Sequence, residues 1–80
     1  MSDVNSILLI DGNDKDREYY AHRLKLSSPD FDVFQAETGQ AGLDLYTRQP
    51  IDCVVLAIDL PDMSGFEVLS YLVPSSCLQG

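Results

Sequence analysis

Thirteen of the 80 residues are acidic, so carboxylates carry most of the reactive groups in this chain. They gather after two short apolar runs. Asp11 closes Ser6-Ile7-Leu8-Leu9-Ile10 and leads into Gly12-Asn13-Asp14, while Asp59 and Asp62 stand in the turn that follows Cys53-Val54-Val55-Leu56-Ala57-Ile58. The group Asp11, Asp14, Asp16 and Glu18 could suggest Ca2+, but an EF-hand needs a central glycine and a terminal glutamate at fixed spacing, and neither is met. A solvated helix start is the better account. Ser64 before Gly65 lacks the Gly-x-Ser-x-Gly elbow and any base to serve it, which excludes serine hydrolase chemistry. His22, the only histidine, has no matching histidine or cysteine nearby and reads as a surface side chain. No glycine-rich phosphate loop follows the first apolar run. The site belongs instead at Asp59-Leu60-Pro61-Asp62 and Gly65, because open parallel sheets bind ligands in the loops at the carboxyl ends of their strands.

The elements that position these residues alternate along the chain. Cys53 to Ile58 is unbroken and rich in β-branched residues, as expected of a parallel strand buried on both faces, and Pro61 ends it. Ser6 to Ile10 is a second such strand. Asn13 or Asp14 caps a helix over Asp14 to Leu26 with Tyr20, Ala21 and Leu24 on its inner face. Ser27-Ser28-Pro29-Asp30 breaks that helix. Phe31 to Ala36 alternates like an edge strand, and Thr38 caps a helix from Gln40 to Arg48 whose buried stripe is Leu43 and Tyr46, helped by Ala41 and Leu45. Gly42 inside it costs about 1 kcal/mol relative to alanine, so either a neighbour packs close or the helix is weak. Phe66, Leu69 and Leu72, or Val68 and Tyr71 beside them, form one face of a third helix that Pro74 stops. The aromatic residues Tyr19, Tyr20, Phe31, Phe34 and Phe66 fit core and rim packing. Residues 1–74 form one unit, and 75–80 a flexible tail.

Composition bounds the function. A formal net charge of -8 repels nucleic-acid phosphates and anionic lipid, so no direct nucleic-acid contact is expected. Cys53 and Cys77 make no disulfide framework, which suits a reduced compartment. No run is long enough to cross a bilayer and the start lacks a signal-peptide pattern, so a cytoplasmic protein off the membrane is expected. At 80 residues the chain buries only about 60% of its unfolded surface and is marginally stable unless a partner covers more. The alternation of strand and helix implies right-handed crossovers and a parallel sheet between helices.

Ile7 to Asp14 (ILLIDGND), Ala36 to Leu45 (AETGQAGLDL) and above all Asp52 to Leu69 (DCVVLAIDLPDMSGFEVL) resemble the receiver domain of two-component response regulators. The resemblance implies a flavodoxin-like α/β three-layer sandwich, here partial: a parallel sheet in the order 2-1-3 with three helices, the fourth and fifth βα units falling beyond Gly80. It also implies transfer of a phosphoryl group from a histidine kinase to an aspartate at the end of the third strand, with Mg2+ held by carboxylates at the end of the first. This chain departs from that pattern. Ala57 stands in the phosphoacceptor position and has no nucleophilic atom. The acidic pair appears as Asp11-Gly12, so one of the metal-directed carboxylates is absent. Asp59 stands where the family offers a backbone carbonyl to the metal, and only Asp11 and Asp59 remain as vestigial ligands. No cofactor is therefore expected, although the family implies Mg2+.

Three readings of function follow. The first is a receiver-like domain that is phosphorylation-incompetent, not an enzyme, and acts by binding a protein: a histidine kinase, an output domain or a second copy. The second is a truncated, self-associating half-domain with a structural role, since the third strand would present an open apolar edge and a homodimer through it would close it. The third keeps catalysis by making Asp59 a substitute acceptor, which its place beyond the strand end disfavours.

Overall fold

The computed structural model describes residues 6–72; the expected tail at 75–80 and Cys77 lie outside them. Six elements alternate: β1 (Ser6–Ile10), α1 (Asp14–Ser27), β2 (Asp32–Ala36), α2 (Gly39–Arg48), β3 (Cys53–Leu56) and α3 (Gly65–Leu72). The three strands are parallel in the order β2-β1-β3. Ile7 stands beside Val33 on one side and Cys53 on the other, and Ile10 beside Ala36 and Leu56. This is the sheet order and element sequence expected of the partial flavodoxin-like fold.

β1 is buried along its whole length because, among the described strands, it alone has neighbours on both sides and helices on both faces. Leu8 and Ile10 join Ala36 and Val68 in the core beneath α2 and α3. Ile7 and Leu9 alternate to the opposite face, where α1 offers its one buried residue, Ala21. The caps form as local chemistry dictates. Asn13, rather than Asp14, caps α1 by accepting from the Asp16 N–H at 2.9 Å, and Thr38 caps α2 by accepting from Ala41 at 3.0 Å. Gly42 is explained by its neighbour: a Cβ there would stand 2.8 Å from Ile10 Cγ1 and closer still to its Cδ1, so α2 lies directly on β1.

Several expected core residues are exposed. β3 is not covered on both faces; the strand ends at Leu56, and Cys53, Val55 and Ile58 are open because β3 borders the sheet and α1 does not reach across it. Tyr20 on α1 and Tyr46 on α2 lie at the rim, and Gly39 and Gly42 hold the buried positions of α2. On α3, Val68 enters the core while Phe66, Leu69 and Tyr71 face outward. A helix of eight residues with apolar groups on most of its circumference does not disclose which side the sheet will cover.

Candidate functional site at the carboxyl end of the sheet

Three loops meet beyond the carboxyl ends of β1, β2 and β3. Asp11 leaves β1 with its N–H donated to the Ala36 carbonyl at 3.0 Å, which continues the ladder one residue past the strand. Its carboxylate accepts from the Asn13 N–H at 3.0 Å. Ala57 follows β3 in the same way, donating its N–H to the Ile10 carbonyl at 2.9 Å. Asp11 and Ala57 therefore sit side by side, on adjacent strands. They line one hollow of about 380 Å3 with Asp16, Tyr20, Val55, Leu56 and Ile58.

The β3–α3 loop closes over its neighbours from two directions. Pro61 lies against Gly12, where a Cβ would stand 2.7 Å from the proline Cδ. Asp62 reaches the start of α2 and accepts from the N–H groups of Gly39 at 2.8 Å and Gln40 at 3.0 Å. Those two bonds, Gly39 first, hold the Asp62 carboxyl below its usual value of 3.8. Gly65 starts α3 by donating to the Ile58 carbonyl at 2.6 Å, and a Cβ there would strike the Ala57 carbonyl oxygen. Asp59 stands apart, exposed and bridged in antiparallel fashion to Ser64.

Arg17 ties the β1–α1 loop together. Its side chain is only 14% exposed and donates to the Asp11 carbonyl at 2.9 Å and to the Asp14 carboxylate at 2.7 Å, with Glu37 4.0 Å away. Asp14 thus points to an arginine rather than into the hollow. His22 lies on the exposed side of α1, and Cys53 is free and exposed.

A hard divalent cation needs several oxygen ligands in one place. Here Asp11 and Asp16 are the two carboxylates on the hollow, Gly12 and Ala57 bring no side-chain oxygen, and Asp59 lies beyond it. Among the described residues no three histidine, cysteine, aspartate or glutamate side chains gather as a metal site. Of the carboxylates that the resemblance implies around Mg2+, the hollow keeps Asp11, while Gly12 and Ala57 stand in place of the others.

Sequence reasoning placed Asp11, Gly12, Ala57, Pro61 and Gly65 in these loops but missed the parts played by Asp62 and Arg17. The Asp14–Arg17 spacing of three on a helix was a visible signal. Nothing local shows that Asp62 bonds to residues 22 and 23 positions earlier.

Comparison with known proteins agrees with this geometry. The family model of the response regulator receiver domain matches residues 7–77. The cell cycle response regulator CtrA of Brucella ovis is 43% identical over 49 residues, which is 61% of this chain and 21% of that protein. Among solved structures, the response regulator TrrA of Thermotoga maritima in complex with Mg(2+)-BeF superposes with a TM-score of 0.80 at 28% identity, over 86% of this chain and 58% of that one. The non-phosphorylated HemR receiver domain of Leptospira biflexa gives 0.76 at 30% identity, over 86% and 54%. The chain spans about a fifth of the length of the curated relative and just over half of these structures.

Proposed function

The chain belongs to the response regulator receiver domain family of two-component signalling, and from that premise we propose that it is a phosphorylation-incompetent receiver acting by protein contact. The observation that carries this is Ala57. It lies beside Asp11 at the carboxyl end of the sheet, where the family's nucleophile is expected, and a methyl group cannot form an acyl phosphate. Gly12 supports the same reading. A Cβ at Gly12 would stand 2.7 Å from the Pro61 Cδ, so the second acidic residue of the pair would enter only with a shift of that ring.

In this reading the unit over 1–74 catalyses nothing, works in the cytoplasm and signals by occupying a partner: a histidine kinase, an output domain or a second copy. Asp11 and Asp59 are vestigial. The second reading is a self-associating half-domain whose role is structural.

The test is incubation with a small acyl-phosphate donor and Mg2+ followed by intact-mass measurement. No phosphoryl adduct is expected on the natural chain. None is expected on Ala57→Asp either, since that variant restores the nucleophile but not the cage. An adduct on the natural chain that disappears in Asp59→Asn would overturn the proposal and make Asp59 the acceptor.

A further inference from the structure

Two adjacent side chains of opposite character fasten the β3–α3 loop to the start of α2. Asp62 accepts from the N–H groups of Gly39 at 2.8 Å and Gln40 at 3.0 Å. Met63, the one methionine among the described residues, lies across the bare face of Gly39, where a Cβ would stand 2.6 Å from the methionine Cγ and 2.8 Å from its sulfur. The same Cβ would stand 2.9 Å from Cγ2 of the fully buried Val68, so the thioether and the valine share the space that the missing side chain leaves. Met63 packs on the core yet is only half-buried, and the residue therefore meets solvent as well.

A thioether suits this gap because it is flexible, polarizable and asks for no hydrogen bond. Its sulfoxide is larger and carries an oxygen that accepts strongly. The donors at this helix start are already engaged: Gly39 and Gln40 by Asp62, and Ala41 by the Thr38 hydroxyl at 3.0 Å. A sulfoxide oxygen must then displace Asp62 from an N–H group or turn out to water and draw the side chain off Gly39. Either movement undoes the fastening.

We propose that Met63 is an oxidation site for hydrogen peroxide, and that its sulfoxide releases the β3–α3 loop from α2. The peroxide O–O bond breaks, one oxygen bonds to the sulfur, which gives up two electrons, and the other oxygen leaves as water with both protons. The same loop lays Pro61 over Gly12, so release at Met63 also loosens the cover of the β1–α1 loop beside Asp11. This goes beyond the receiver reading and does not rest on it.

Treatment of the 80-residue chain with hydrogen peroxide, followed by a thiol that reverses cysteine oxidation, is expected to leave one added oxygen on Met63, located by peptide mapping. Amide exchange of Gly39 and Gln40 then speeds up about tenfold, while that of Ile7 to Ile10 in β1 is unchanged. Methionine sulfoxide reductase with a dithiol, which supplies two electrons and removes the oxygen as water, restores the slow exchange. Met63→Leu keeps an apolar side chain of similar volume without the sulfur, and its amides do not respond to peroxide although both cysteines remain. A Met63 that stays reduced while free methionine in the same solution is oxidised overturns the proposal. So does a sulfoxide that leaves the exchange of Gly39 and Gln40 as it was, an acceleration that extends equally to β1, or one that Met63→Leu shares. The phosphodonor experiment decides the receiver reading separately.

Discussion

Alanine is the best helix former and glycine among the worst, so propensity alone says that Gly42→Ala strengthens α2 by about 1 kcal/mol. The contact with Ile10 reverses the sign. Ile10 is fully buried, with Ala36 beside it in the sheet and α2 above, so its side chain has nowhere to withdraw when a Cβ arrives 2.8 Å from Cγ1. Overpacking of this kind costs roughly 1–3 kcal/mol. The variant is therefore expected to be less stable than the natural chain by about 1 kcal/mol, read as a lower urea midpoint at unchanged slope. No glycine among the described residues has a positive φ, so Gly12, Gly39, Gly42 and Gly65 are conserving space for a neighbour rather than permitting an unusual backbone turn.

At the level of elements, Asp62 joins the β3–α3 loop to the start of α2. The first N–H groups of a helix have no partner within it and carry partial positive charge, so a carboxylate aimed at two of them is held in its ionised form. Because the folded-state value lies below 3.8, this contribution is complete above 3.8 and is lost as the pH falls through the folded value. Urea midpoints of the natural chain and Asp62→Asn should differ by a constant amount near neutrality, and the difference should shrink as the pH drops below 3.8. What could be read in advance divides along the same line. Strands β1 and β3, the Thr38 cap and the cluster around Ala57 follow from runs and spacings within a few residues of each other. The outward turn of Tyr20, Tyr46, Phe66 and Leu69 does not, because a helical stripe reports period and not which flank another element will cover. Asp62 escaped for a related reason: its partners are set by where the loops meet.

Across the whole molecule, protection is graded from the middle strand outward. All of β1 is enclosed and paired on both sides, whereas β3, with Val54 and Leu56, has a strand on one side only among the described residues. Hydrogen exchange at low protein concentration should find the β1 amides at least a hundredfold slower than those of Val54 and Leu56.

The central position of β1 also bears on how the chain is made. Ser6 to Ile10 leaves the ribosome ahead of the five other elements described, yet its second neighbour is not complete until Leu56 has been synthesised. This apolar stretch must wait, half-sheltered by β2, for β3 to arrive. During that interval it is open to capture by a chaperone.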